Sequence, residues 1–221
     1  MTILEVKDVS FSYNKNEPEV IKDINFRVKK GDCIAIRGPN GSGKTTLAKV
    51  LTRILIPTRG CVLLEGKDIL NLTLADVGKK IGYVMQNPER QLFLPTVEED
   101  IGFGLRQMGF EGSKVEKKID KLLDFFGLKD HRKKPPFILS RGEQQRLAIA
   151  SVLSLEPEIL LLDEPTTGLD PLRKRKVELL LTGLYHKGTT LIVISHDHNF
   201  LCNLFNKVVY INNGFAREEK L

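Results

Sequence analysis

An α/β fold with a mainly parallel core sheet is the class this sequence predicts, and three observations predict it. Continuous apolar runs, Cys33-Ile34-Ala35-Ile36, Ile159 to Leu162 and Leu191 to Ile194, have the length and composition of strands buried on both faces. Segments with helical apolar spacing alternate with those runs. A Gly-rich loop separates the first run from the helical pattern behind it, so strand, loop and helix follow without a break.

Along the chain, Ile24, Phe26 and Val28 alternate with Asn25 and Arg27, the period of a half-buried strand. Gly31-Asp32 turns into the first buried run, and Leu47, Val50, Leu51 and Ile54 then mark a helix that Pro57 stops. Val62 to Leu64 and Ile81 to Val84 read as further strands. Val115, Ile119, Leu122 and Phe126 define one helix face, with Gly127 placed to cap it and Pro135-Pro136 to prevent its continuation. A helix begins near Ser140, and Lys207 to Gly214 reads as a last strand and turn. The organisation expected is one domain over residues 1–221, with a core of about 1–86 and 137–221 and a helical subdomain of about 87–136.

Bulk properties narrow the function. No apolar run approaches the roughly 20 residues that cross a bilayer, and Met1 to Ser10 lack the apolar stretch of a signal peptide. Cys33, Cys61 and Cys202 show no metal or redox spacing, which favours a reducing compartment. The net charge of +6 comes from basic residues interleaved with acids, as in Lys114 to Lys121, so a solvated face is read rather than a nucleic-acid surface.

Gly38-Pro39-Asn40-Gly41-Ser42-Gly43-Lys44-Thr45 is a P-loop. Its glycines let backbone N–H groups turn toward phosphate oxygens at a helix N-terminus. Lys44 is expected to reach the β and γ phosphates, and the Thr45 hydroxyl to bind Mg²⁺. Ile159 to Leu162 deliver Asp163 to the same region to help hold Mg²⁺, with Glu164 one residue on to polarise the attacking water.

Leu139-Ser140-Arg141-Gly142-Glu143-Gln144-Gln145-Arg146 resembles the signature of the ABC ATPases, Leu-Ser-Gly-Gly-Gln. The resemblance spans roughly Leu4 to Gly214 and implies an antiparallel β part beside the core sheet. It also implies that Ser140 and Gly142 bind the γ-phosphate of ATP held by a second ABC ATPase, identical or paralogous. Ser140-x-x-Glu143 is at the same time a capping box. Arg141 and Glu143 depart from the family's Gly and Gln; the Glu143 charge is expected to repel an approaching γ-phosphate, and Arg141 to offset it in the closed dimer. By the same resemblance Gln86 contacts Mg²⁺ and the attacking water, and Asp170 lies at the dimer seam. His196 contacts the γ-phosphate, and Tyr13 stacks on adenine. The nucleotide set is therefore Tyr13, Gly38, Asn40, Gly41, Ser42, Gly43, Lys44, Thr45, Thr46, Ser140 and Gly142. The metal set is Thr45, Gln86 and Asp163, and the catalytic set is Glu164, His196 and Gln86.

Gln86-Asn87-Pro88-Glu89-Arg90-Gln91-Leu92-Phe93 and Thr96 to Gly104 are similar to the energy-coupling-factor branch of importers. In that branch this stretch flanks the docking groove for a transmembrane subunit, and the modules import vitamins or transition-metal ions. Many of its ATPases carry a longer segment after the histidine than the one that follows His196 here, which implies more reliance on nucleotide or the membrane partner for dimerisation. The alternative is an ATPase of an exporter or another importer. A DNA-repair ABC ATPase would show long heptads, a translation factor two cassettes, and a simple P-loop kinase neither signature nor His196. The resemblance places the chain peripherally on the cytoplasmic face of a membrane.

Overall fold

The computed structural model describes every residue except His198, Leu201 and Leu221, and all but the side chain of Lys220. In order it contains β1 (Thr2–Phe11), β2 (Ile21–Lys29), β3 (Cys33–Arg37), α1 (Lys44–Leu51), β4 (Arg59–Leu64), β5 (Lys67–Asp68), α2 (Leu74–Lys80) and β6 (Ile81–Val84). Next come α3 (Val97–Gln107), α4 (Gly112–Phe126), α5 (Arg141–Leu153), β7 (Ile159–Asp163), α6 (Pro171–His186), β8 (Thr190–Ile194), β9 (Lys207–Asn212) and β10 (Phe215–Lys220).

Two sheets form. One is antiparallel in the order β2-β1-β4-β5; the other runs β10-β9-β3-β8-β7-β6 and is parallel except for the β9–β10 hairpin. The buried runs supply the parallel ladder, with Ile34 opposite Ile192 and Leu161 opposite the same residue on the other side. Successive side chains of a strand point to opposite faces. Ile34, Ile36, Ile159 and Leu161 accordingly enter a core shared with α1 and the antiparallel sheet. Cys33, Ala35, Leu160 and Leu162 enter a second core, which α3 to α6 cover. The helices of 97–126 thus share their apolar core with α5, α6 and one face of the parallel sheet.

Most expected elements are present, with local differences. The first helix ends at Leu51, where Thr52 turns its hydroxyl back to the Ala48 carbonyl at 2.9 Å and Arg53 takes a positive φ of 59°. Ile54 therefore lies outside it and is exposed. On α4 the buried stripe is Val115, Ile119, Leu123 and Phe126; Leu122 sits half-buried at its edge, and Gly127 caps the helix in the left-handed region as expected. The segment after α4 is tied to the start of α3. Val97 and Glu98 donate their N–H groups to the Lys134 and Arg132 carbonyls, each at 3.1 Å, and the Arg132 guanidinium pairs with Glu98, Glu116 and Asp120.

Candidate functional site

The P-loop spans the gap between β3 and α1. Gly38 has φ +145°, and a Cβ there would lie 2.0 Å from the Ile211 carbonyl oxygen. Gly43 has φ +105°, and its Cβ would meet Ile21 Cγ2 at 2.7 Å and the Val20 carbonyl at 2.9 Å. Both sheets therefore press on the loop, and a side chain at either position would push it off its track. Gly43 is also the residue that opens α1, and it offers no capping side chain. The first N–H groups of α1 are left facing the cleft, the arrangement that suits a phosphate. Lys44 is buried, and its ammonium donates to the Gly38 and Pro39 carbonyls at 2.9 and 2.8 Å. Burial lowers its pKa, against the attraction of Glu164 and Asp163. The Ser42 hydroxyl is buried in the loop without a partner among the described residues, and a phosphate oxygen would satisfy it.

β7 brings two carboxylates to the other wall. Asp163 is 1% exposed, and its Oδ2 accepts from the Thr45 hydroxyl at 2.7 Å and from the Tyr83 hydroxyl at 3.4 Å. Burial raises the pKa of Asp163, and that of Tyr83 too. Tyr83, on β6, is a residue the sequence reading missed; its one signal was a lone hydroxyl in an otherwise apolar strand. Glu164 sits in left-handed backbone, φ 51°, with its N–H donated to the Ile194 carbonyl at 2.9 Å. Its Oε1 accepts the His196 N–H at 3.1 Å and lies 3.4 Å from His196 Nε2. Burial raises the Glu164 pKa, opposed chiefly by His196, and a raised carboxylate pKa favours general-base work near neutrality.

A cleft of about 470 Å³ joins these groups, lined among others by Asn40, Lys44, Thr45, Gln86, Glu164 and His196. Gly41, Gly43, Thr46 and Asp163 also line it. At its rim Tyr13 is 54% exposed, held edge-on to Phe11 at 5.0 Å with its hydroxyl 3.2 Å from Thr46 Oγ1. Its exposed ring is available for stacking.

Ser140 and Gly142 are not part of this cleft. They open α5, where a Cβ on Gly142 would stand 3.3 Å from Leu169 and 3.4 Å from Arg173. The capping box is present: the Glu143 Oε2 accepts the Ser140 N–H at 2.8 Å and its hydroxyl at 2.7 Å. In the single chain Arg141 and Glu143 do not face each other. Arg141 lies over Gly168, its Cδ 3.4 Å from where a Cβ would be. The cations facing Glu143 are instead His131 at 3.2 Å, when protonated, and Arg146 at 3.9 Å; residues one and two positions before Glu143 on a helix point elsewhere. Asp170 caps α6, accepting the Arg173 N–H at 2.9 Å.

After β6, the chain turns through Gln86. Gln91 points inward, accepting the Met85 N–H at 3.1 Å and donating to the Tyr83 carbonyl at 3.0 Å, so it clamps the strand end that carries Gln86. Phe93 is 68% exposed and meets Phe103 edge-on at 5.2 Å. Beneath them Asp100 is buried, accepts the Phe93 N–H at 3.4 Å through Oδ1 and has no partner for Oδ2 among the described residues. Burial pushes its pKa up to about 6.

A family profile described as ABC transporter matches residues 21–167. The energy-coupling factor transporter ATP-binding protein EcfA of Methanocaldococcus jannaschii is 43% identical over 221 residues, covering 99% of this chain and 79% of that protein. Among solved structures, cbiO1 from Clostridium perfringens, described as part of the ABC transporter complex cbiONQ, aligns with TM-score 0.84 and 33% identity over 99% of this chain and 88% of that one. A dimeric ATP-binding cassette in a post-hydrolysis state, bound to ADP and Pi, aligns with TM-score 0.90 and 31% identity over 99% of both chains.

Proposed function

Because the chain belongs to the ABC transporter ATP-binding family, we propose that its cleft is the ATP site of an importer of energy-coupling-factor type, driving uptake of a vitamin or transition-metal ion from the cytoplasmic face of the membrane. The chain is an ATPase subunit that works with a second ABC ATPase and with transmembrane subunits. Among the described residues no helix is long and apolar enough to cross a membrane; in this reading the chain meets the membrane through its transmembrane partners.

The observation that carries the reading is the convergence of Lys44, Thr45, Asp163, Glu164 and His196 on one cleft at the N-terminus of α1. In this reading the P-loop amides, Ser42 and Lys44 bind the phosphates, Thr46 adds a hydroxyl beside them, and Tyr13 carries the adenine. Thr45, Asp163 and Gln86 would hold Mg²⁺, which neutralises phosphate charge when bound. Glu164 takes a proton from the attacking water, and its tie to His196 keeps the carboxylate aimed. His196, half-exposed at the mouth, faces the γ-phosphate. Ser140 and Gly142 lie off this cleft because they complete the site of the second subunit, at the N-terminus of α5. Phe93 and Phe103 present the apolar surface on which the transmembrane partner docks.

The test is Glu164→Gln with Mg-ATP. The variant is expected to bind ATP as the parent does, to lose turnover by at least a hundredfold, and to elute as a dimer. Hydrolysis near the parent rate would place the catalytic carboxylate elsewhere.

A further inference from the structure

Glu143 stands where the second subunit's phosphate has to arrive. Its Oε2 covers both donors of Ser140, the N–H at 2.8 Å and the hydroxyl at 2.7 Å. The hydrogen bonds from Ser140 hold its pKa below the usual carboxylate range, so the group is an anion at neutral pH. A helix N-terminus favours one negative charge, and a phosphate and a carboxylate on the same donors repel each other. The other oxygen, Oε1, faces a second seat: His131 Nε2 at 3.2 Å and Arg146 at 3.9 Å. Lys134 Nζ lies 3.1 Å from His131 Nδ1. A lysine ammonium only donates, so Nδ1 accepts, and the imidazole proton then sits on Nε2, the nitrogen 3.2 Å from Glu143 Oε1. His131 immediately precedes Arg132 to Lys134, whose carbonyls hold the first turn of α3, the helix that carries Phe103.

We propose that Glu143 gates Ser140, and that His131 is the positioning residue that draws the carboxylate off it when the second subunit's ATP arrives. Seated as it is, Glu143 stands in for the phosphate and keeps α5 capped in the single chain. Retraction toward His131 and Arg146 uncovers the Ser140 donors, and the arriving phosphate replaces the carboxylate as the anion at the helix end. Because His131 lies on the segment bound to α3, a partner pressing on Phe93 and Phe103 shifts the second seat and so sets how readily the gate opens. This inference rests on the reading that Ser140 binds the second subunit's nucleotide.

The experiment uses the full chain carrying Glu164→Gln, with ATP-driven dimerisation followed by analytical ultracentrifugation in Mg-ATP. Glu143→Gln, which keeps a capping group but removes the charge, is expected to dimerise about tenfold more tightly, the size of one hydrogen bond to a charged group. His131→Ala is expected to dimerise about tenfold more weakly by the same measure, while His131→Gln, which retains a donor, recovers most of the loss. In the Glu143→Gln chain, His131→Ala is expected to have no effect. ATP affinity of the monomer, measured below the dimerisation range, stays unchanged throughout. Equal effects of His131→Ala with and without the Glu143 charge, or no tightening by Glu143→Gln, overturn the gate. Ser140→Ala separates the two levels: undiminished dimerisation overturns the underlying reading, whereas its loss alongside uncoupled His131 and Glu143 overturns the gate alone.

Discussion

Asp100→Asn is expected to stabilise the protein above neutral pH and to lose that advantage in mild acid. The carboxylate is 6% exposed, and Oδ2 has no partner among the described residues. Burial lifts its pKa from the ordinary 3.8 to about 6. Because the folded value is the higher one, the stability tied to this proton is complete below the unfolded pKa and is lost as pH rises through about 6. Holding the buried charge at pH 8 therefore costs about 3 kcal/mol relative to the neutral acid. Asparagine keeps an oxygen for the Phe93 N–H but places an unpartnered amide nitrogen where Oδ2 was, at about 1 kcal/mol. The net gain is about 2 kcal/mol at pH 8, shrinking to about 0.5 kcal/mol at pH 5. Urea unfolding of both chains across this range reads the difference directly. A gain that does not change with pH, or an Asn variant that is less stable at pH 8, would refute burial as the cause.

Lys44→Ala is expected to weaken Mg-ATP binding by about a hundredfold or more, as for loss of a buried charge-assisted contact, with unfolding by urea little changed; nucleotide titration checks it. Gln91→Ala releases the clamp on β6, so ATPase activity of the isolated subunit should fall several-fold with the ATP affinity retained. Steady-state kinetics decide whether the loss is in kcat. Phe93 does not line the cleft, so Phe93→Ala should leave basal ATPase intact while co-purification with transmembrane subunits drops. Normal assembly of that variant removes the docking role from the aromatic pair.

The parallel ladder and the P-loop were legible because their signals are local: short runs of branched apolar residues, and glycines at a fixed spacing. α6 escaped the reading although Asp170-Pro171 opens it, because only Val177 and Leu181 are buried along its length and Arg173 to Lys176 break the apolar stripe. β1 was obscured by its irregular register, with Asp8 at φ 48° interrupting the alternation. At the site, motif order located Asp163 at a strand end and Glu164 and His196 just beyond strands, and the three line one cleft, but pairings across the sheet have no local sequence signal. The contacts of Tyr83 with Asp163 and of Gln91 with Tyr83 arise from strand register. Arg141 illustrates the converse: it stands two residues from Glu143 in sequence, yet in the single chain helix geometry sends the two side chains apart.

The left-handed backbone at Glu164 has an evolutionary consequence. A side chain such as glutamate at φ 51° costs about 1 kcal/mol, which glycine avoids and asparagine reduces. Neither substitution would disturb the Ile194 contact, which uses the main-chain N–H alone. In a pair of diverging subunits, drift at this position runs downhill in conformational energy and away from hydrolysis. A lineage whose second cassette has become a silent nucleotide holder is therefore expected to show glycine or asparagine here before the P-loop decays, while glutamate persists wherever turnover remains under selection.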